Sequence, residues 1–231
     1  KVLIKRLYSS VNNLSDILND DLKNVKLSFE DREKLEYIKS EVKKLNLEEI
    51  KNTLKQKKIN FISLADENYP NKLKDVNDSP LGLFYIGDLS VLSIVSVGIV
   101  GTRNPTSYGT RITKRITELF VEKNIVIVSG LASGIDSCAH ETSLKSGKTI
   151  AVLGTGLDEI YPQENYSLFE RIINKGGLVI SEYPPNTPGL PWNFPQRNRI
   201  ISALSDAIIV VEGNAQSGAL ITARFAIKQD K

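Results

Sequence analysis

VGIVGTRNPTSYG, residues 97–109, is the stretch from which the fold can be worked out. Val97, Ile99 and Val100 form an apolar run without polar alternation, which predicts a strand covered on both faces. Gly101 permits a sharp turn, and beyond Gly109 apolar residues recur at helical spacing, at Ile112, Ile116, Leu119 and Phe120. Strand, glycine turn and helix make a βα unit whose helix start presents unpaired N–H groups to an anion. Thr102, Arg103, Thr106 and Ser107 lie in the turn, and their side chains suit phosphate oxygens.

Outward from this unit the pattern repeats. Residues 125–128, 149–153, 178–181 and 207–211 are apolar runs expected as strands. Helical spacing fills 110–123, 135–146, 164–175, 198–205 and 217–228. This alternation predicts an α/β fold: a Rossmann-like, mainly parallel sheet with helices on both faces and ligands at the carboxyl ends of its strands. Upstream, 59–64 and 83–86 are expected as two further strands, separated by Tyr69-Pro70 and Ser79-Pro80 turns. Residues 1–58 contain neither Gly nor Pro. Leu3, Ile4, Leu7, then Leu14, Ile17, Leu18, then Leu35, Ile38, Val42, Leu45 recur at helical spacing, with Ser15 and Ser28 as helix caps. The expected division is a small all-helical domain over 1–58 and a Rossmann-like domain over 59–231.

Five polar loops fall on one edge of the expected sheet. The first is the 101–109 turn. The second, SGLASGID (129–136), offers Ser129, Gly130, Ser133 and Gly134 before a helix, with Asp136 open to three parts: orienting the loop through backbone N–H groups, accepting from a ribose or base, or serving as an ordinary helix-start residue. The third is Gly154-Thr155-Gly156, followed by Tyr161-Pro162. The fourth, Phe194 to Arg199, is expected as a loop entering a helix. Its Phe194, Arg197, Asn198 and Arg199 combine stacking with charge, as a grip on single-stranded nucleic acid requires. Glu182 is placed to hold Arg197 or Arg199 structurally, and Asp206 is a second candidate for that part. The fifth is Gln216-Ser217-Gly218. No dinucleotide or P-loop glycine fingerprint occurs, nor a nucleophile with a base, so neither a cofactor nor catalysis is expected.

Composition narrows the classes further. One cysteine, Cys138, suits a reducing cytoplasm, and one histidine, His140, argues against zinc chemistry and a Ser-His-Asp hydrolase. No apolar run is long enough to cross a bilayer. Residues 1–58 carry 14 basic and 10 acidic side chains, and residues 59–231 carry 16 and 17. A polyanion on the larger domain therefore has to be held by a local cluster of cations. The chain opens on Lys1, holds no methionine and stops at Lys231 directly after a helical pattern, as expected of a piece of a longer protein.

The ordered motifs GTRNPTSYG (101–109), SGLASGID (129–136), GTGLDEIYPQEN (154–165), ISEYP (180–184), FPQRNRIISALSD (194–206) and SGALITARFA (217–226) closely resemble the bacterial DNA processing protein A family, also called Smf. The resemblance covers residues 60–231, and residues 1–58 fit the small SAM-like helical domain of some members. It implies a non-enzymatic cytoplasmic protein of natural transformation that binds single-stranded DNA, dimerises with itself and loads the RecA recombinase. By motif position Arg103 matches the arginine that holds DNA phosphate. Gly130 and Gly134 match the glycine loop, and Phe194, Arg197 and Arg199 match the segment near the bound strand. Pro191 stands where some members carry lysine, with Trp192 beside it as an alternative aromatic surface. Gly101, Thr102, Ser107, Gly109, Ser129, Gly154, Thr155, Gly156, Asn198, Ser217 and Gly218 complete the expected phosphate and DNA site. The competing function is a nucleotide-processing Rossmann-like enzyme of the phosphoribohydrolase type, whose P-G-G-x-G-T-x-x-E motif is absent here.

Overall fold

The computed structural model describes Leu3, Ile4, Leu7 and residues 27–76, 78–214 and 217–231. The chain separates into two compact units, Lys1–Lys57 and Lys58–Lys231. In the first, helix α1 spans Phe29–Val42 and α2 spans Leu47–Gln56. Each start is capped from the sequence: the Asp31 N–H donates to Ser28 Oγ at 3.2 Å and the Glu49 N–H to Asn46 Oδ1 at 3.2 Å. Leu35 packs with Leu7, Leu3, Ile4 and Leu27, whereas Leu45 is exposed because α1 ends before it. The Ser15 cap and the Leu14, Ile17, Leu18 repeat lie outside the described residues.

The second unit is built on one seven-stranded sheet. Its strands are β1 (Asn60–Ser63), β2 (Gly82–Gly87), β3 (Ser96–Gly101), β4 (Val126–Ser129), β5 (Thr149–Leu153), β6 (Leu178–Ser181) and β7 (Ala207–Val211), in the order β1-β2-β6-β5-β4-β3-β7. The five strands from β6 to β7 are parallel, and β1 and β2 extend the sheet antiparallel. A short helix α3 (Asn71–Lys74) links β1 to β2. The remaining helices are α4 (Ser107–Val121), α5 (Ile135–Ser143), α6 (Tyr166–Asn174), α7 (Asn193–Leu204) and α8 (Gly218–Lys228).

Strand periodicity divides the core. Val100, Val126, Val128, Ile150 and Val152 face a cluster that includes Ile200, Ile201 and Leu204 of α7 and Ala219 of α8. Val97, Ile99 and Ile127 face the other way, onto Val121 of α4 and Ile135 and Ala139 of α5. Every residue of β4, β5 and β6 is buried, which explains the unbroken apolar runs seen in the sequence. Each Val, Leu or Ile side chain removed from water in this way contributes about 1.5–3 kcal/mol. β3 leads on one side to β4, β5 and β6 and on the other to β7. The direction of winding therefore reverses between β3 and β7, the place where an open α/β sheet leaves a crevice for ligand.

Candidate nucleic-acid interface

A cleft of about 670 Å³ opens at that reversal. Gly101, Thr102 and Arg103 from the end of β3 line one side, and Asn214, Ser217 and Gly218 beyond β7 line the other. Phe194, Arg197 and Asn198 of α7 and Tyr161 from the β5 loop complete it. The loops after β3, β4, β5 and β7 and the start of α7 thus gather on the carboxyl edge. Gln216 lies outside the described residues.

Arg103 is exposed, and among the described residues no carboxylate pairs with it. Its guanidinium carbon lies 5.9 Å from the centre of the Phe194 ring, and the Tyr161 ring is 5.3 Å from Phe194 on centroids. The three make a platform with a cation at one end and a half-exposed aromatic at the other. Phe194 sits closely over Gly154, where a Cβ would come within 2.8 Å of the ring. Tyr161 is a lining residue that the sequence does not single out. Its one visible mark was the Tyr-Pro pair following the Gly154-Thr155-Gly156 loop.

The other two arginines point inward, which corrects the expectation that they are free to grip phosphate. Phe194 to Arg199 belong to α7 itself rather than to a loop before it. Arg197 is buried, donating from Nη1 to Gly130 O at 2.7 Å and to Val152 O, and from Nε to Asn198 Oδ1 at 3.2 Å. Burial brings its pKa down to about 10, against the opposing effect of Asp136, so it stays charged at neutral pH beneath the cleft. Arg199 is buried between Glu182 (2.5 Å from Nη2) and Asp78 (3.1 Å from Nε). Glu182 has the structural part expected of it, whereas Asp206 pairs with Lys72 at 2.6 Å.

The glycine loop after β4 is held from every side. Ser129 Oγ donates to Ile99 O at 2.6 Å, and the Gly130 N–H donates to Asp136 Oδ2 at 3.0 Å. Burial pushes the Asp136 carboxyl up, and the Arg197 charge and the Gly130 N–H oppose that shift. Gly134 adopts φ +82°, and a Cβ there would lie 2.5 Å from the carbonyl oxygens of Thr102 and Arg103. With Ile135 N–H donating to Thr102 O at 3.1 Å, this contact fixes the Arg103 turn against α5. His140 is fully buried: the Leu131 N–H donates to its Nε2 at 3.4 Å, and Nδ1 lies 2.8 Å from Thr149 Oγ1, which donates to Ile127 O. This network assigns a neutral ring with its proton on Nδ1. Burial and then the Arg197 charge bring its pKa down to about 3.

The start of α4 is already occupied, a second correction. Thr106 caps it, accepting from the Gly109 N–H at 3.1 Å. Glu212, arriving from the end of β7, accepts from the Thr106 N–H at 2.9 Å and from the Thr106 hydroxyl. Those bonds, the hydroxyl's first, hold its carboxyl below the usual range. Ser107 and Gly109 therefore frame a helix start filled by the protein's own carboxylate. Thr155 is buried with its carbonyl accepting from Ser181 Oγ at 2.5 Å, and the Gly156 N–H donates to Thr187 O at 2.9 Å. Both shape the edge from within. Across the cleft, Gly218 O accepts from Asn198 Nδ2 at 3.1 Å. Ser217 Oγ and Thr222 Oγ1 line the cleft without a protein partner among the described residues.

The family profile described as DNA recombination-mediator protein A matches residues 60–231. The chain belongs to this family. It is 47% identical over 175 residues to the DNA processing protein DprA of Bacillus subtilis, covering 75% of this chain and 59% of that one. It is 43% identical over 170 residues to DprA of Streptococcus pneumoniae, covering 73% and 60%. The chain thus spans about three-fifths of the length of these curated relatives. The solved structure of the pneumococcal protein superposes with a TM-score of 0.79 at 34% identity, covering 99% of this chain and 77% of that one. A Helicobacter pylori DNA processing protein A, solved for its single-stranded DNA binding mode, superposes at 0.68 and 34% identity, covering 74% and 78%. Within the family match lie all the elements that build the cleft, from β3 to α8.

Proposed function

We propose that the second unit binds single-stranded DNA across the carboxyl edge of its sheet, as a recombination mediator that delivers the strand to a RecA-class recombinase. The observation that carries this reading is the platform of exposed Arg103, Phe194 and Tyr161 at the β3/β7 reversal, above the buried charge of Arg197. A cation beside two aromatic rings, tilted 41° to one another, suits a phosphodiester strand with unpaired bases. The single-stranded DNA binding described for the Helicobacter relative supports the same ligand. Arg103 takes the phosphate, Phe194 and Tyr161 take bases, and Arg197 and Arg199 hold the site in shape. No chemical step is assigned to the site, because Asp136, the one carboxylate lining the cleft among the described residues, is engaged by the Gly130 N–H. We further propose a cytoplasmic homodimer. β7 lies at one edge of the sheet, and α8, which packs against it, carries Ile227 at 75% exposure.

Titration with oligo(dT) across a salt series tests the reading. Each phosphate contact to a single strand contributes about 0.7 to the slope of log K against log salt. Arg103→Ala is expected to weaken binding and lower the slope by about 0.7. Unaltered affinity and slope in the folded variant would reject the site. Base release from nucleoside monophosphates by the parent protein would instead favour the phosphoribohydrolase-type enzyme.

A further inference from the structure

Helix α4 carries a second charged surface that the cleft does not include. Its buried face is Gly109, Thr113, Thr117 and Val121, so the opposite side faces solvent. There Ser107, Thr110, Arg111, Lys114, Arg115 and Glu118 line a shallow groove of about 530 Å³. Arg111, Lys114 and Arg115 are exposed, and none forms an ion pair among the described residues. Glu118 is engaged by Lys145, just past the end of α5, at 3.0 Å. The Arg111 guanidinium carbon lies 5.6 Å from the centre of the Tyr108 ring, itself 61% exposed. Glu141 of α5 shares with Lys114 and Lys145 an electrostatic contact to the Cys138 thiol. Arg111, Lys114, Arg115 and Lys145 against the carboxylates of Glu118, Glu141 and, at the start of the helix, Glu212 leave a local balance of +1. The whole of residues 59–231 carries 16 basic and 17 acidic side chains, a balance of −1, so this concentration of positive charge is a local departure.

The placement gives the patch its meaning. α4 begins four residues after Arg103, at the mouth of the cleft. At about 1.5 Å rise per residue, Arg111 stands about 6 Å and Arg115 about 12 Å from the Ser107 position. The cations therefore lead away from the cleft along the side of the domain, with an aromatic at the near end. We infer that this face of α4 is a track for the phosphodiester backbone of a single strand leaving the cleft. Arg111 and Arg115 contact successive phosphates, Lys114 adds charge beside them, and Tyr108 offers a stacking face beneath Arg111. The inference rests on the reading of the cleft as a single-strand site, and it adds a second segment of footprint to that site.

The test is the chain carrying Arg111→Ala and Arg115→Ala together, with anisotropy titrations of a short oligo(dT) of about 6 nucleotides and a long one of about 20 over a salt series. The long strand is expected to bind the variant more weakly, with a slope lower by about 1.4, while the short strand binds as it does to the parent. Arg111→Lys with Arg115→Lys should restore the slope, since charge and not fork geometry drives counterion release. Alanine at two exposed helix positions preserves helix propensity, and an unchanged melting curve checks the fold. An unaltered long-strand slope in a variant whose Arg103→Ala counterpart does weaken binding overturns the track and leaves the cleft standing. Loss of affinity for the short strand as well overturns the separate segment. If Arg103→Ala leaves both strands unaffected, the reading of the cleft fails instead.

Discussion

Arg103 and Arg197 look equivalent in the sequence, and their replacement by alanine is expected to have opposite consequences. Arg197 Nη1 bridges Gly130 O and Val152 O, and its charge stands near the buried Asp136 carboxylate. Hydrogen bonds from a charged donor are each worth about 1.5–3 kcal/mol, and removing one partner of a buried charged group costs about 3–5 kcal/mol. These terms describe overlapping losses, so Arg197→Ala is expected to destabilise the unit by about 3–5 kcal/mol. For a unit of this size that corresponds to a fall in Tm of roughly 6–20 °C. Arg103→Ala removes an exposed side chain without an ion-pair partner among the described residues and should stay within about 0.5 kcal/mol of the parent. Scanning calorimetry and oligo(dT) titration of both variants separate the roles: one loses Tm, the other loses binding and salt slope. An Arg197→Ala variant that melts with the parent and yet loses about 0.7 of slope would refute this assignment.

Three further outcomes follow from the same geometry. His140 is neutral in the fold, with its pKa brought down to about 3 against an ordinary value of 6.5, so its contribution is present above pH 6.5 and is lost as pH falls toward 3. Denaturant unfolding should therefore lose about 2 kcal/mol between about pH 7 and pH 5, and His140→Gln should flatten that dependence; an unchanged slope in the variant would place the acid sensitivity elsewhere. Phe194→Ala should weaken oligo(dT) binding by about 1–3 kcal/mol with the salt slope unaltered, and a fall in slope would show that the ring acts through Arg103 rather than through a base. Gly134→Ala meets both a positive φ and carbonyls 2.5 Å from the new Cβ, so it should cost more than about 1 kcal/mol of stability and weaken DNA binding by moving the Arg103 turn. Parent-like melting and binding would count against that coupling.

The strands were the most legible part of the chain, for a physical reason. 149–153 and 178–181 are short apolar runs bounded by glycine or polar residues, and burial on both faces leaves no other use for them, whereas 207–211 is as apolar in sequence although it forms the half-buried edge strand. The start of α7 was less visible because Pro195 and its polar neighbours resemble a loop. Pro195 in fact occupies the first turn, where its missing N–H is not needed. The inward turn of Arg197 did leave a sequence signal. Residues 197, 200, 201 and 204 follow the i, i+3, i+4, i+7 spacing of a buried helix face, so Arg197 shares the side that carries Ile200, Ile201 and Leu204. The stacking of Phe194 and its charge-bearing neighbours suggested nucleic acid, but residue types alone do not say which way each side chain faces.

The occupant of the α4 start could not be read locally at all. Glu212 reaches Thr106 across 106 residues of sequence, and only the pairing of β3 with β7 brings them together. This contact changes what the cleft can use to attract an anion. A glycine turn leading to a helix ordinarily offers the helix dipole and free N–H groups to phosphate. Here a phosphate approaching the Thr106 N–H meets a carboxylate held below its usual pKa, hence ionised at neutral pH. The same carboxylate fixes the Thr106 cap and ties the β7 end to the turn that bears Arg103. Attraction must then come from side-chain cations, Arg103 foremost at the mouth, while Arg197 is engaged by the Gly130 and Val152 carbonyls and holds the floor in shape. A strand bound by point charges in this way depends on salt through the phosphates those charges neutralise, and that ties the whole reading of the edge to the slope measured with Arg103→Ala.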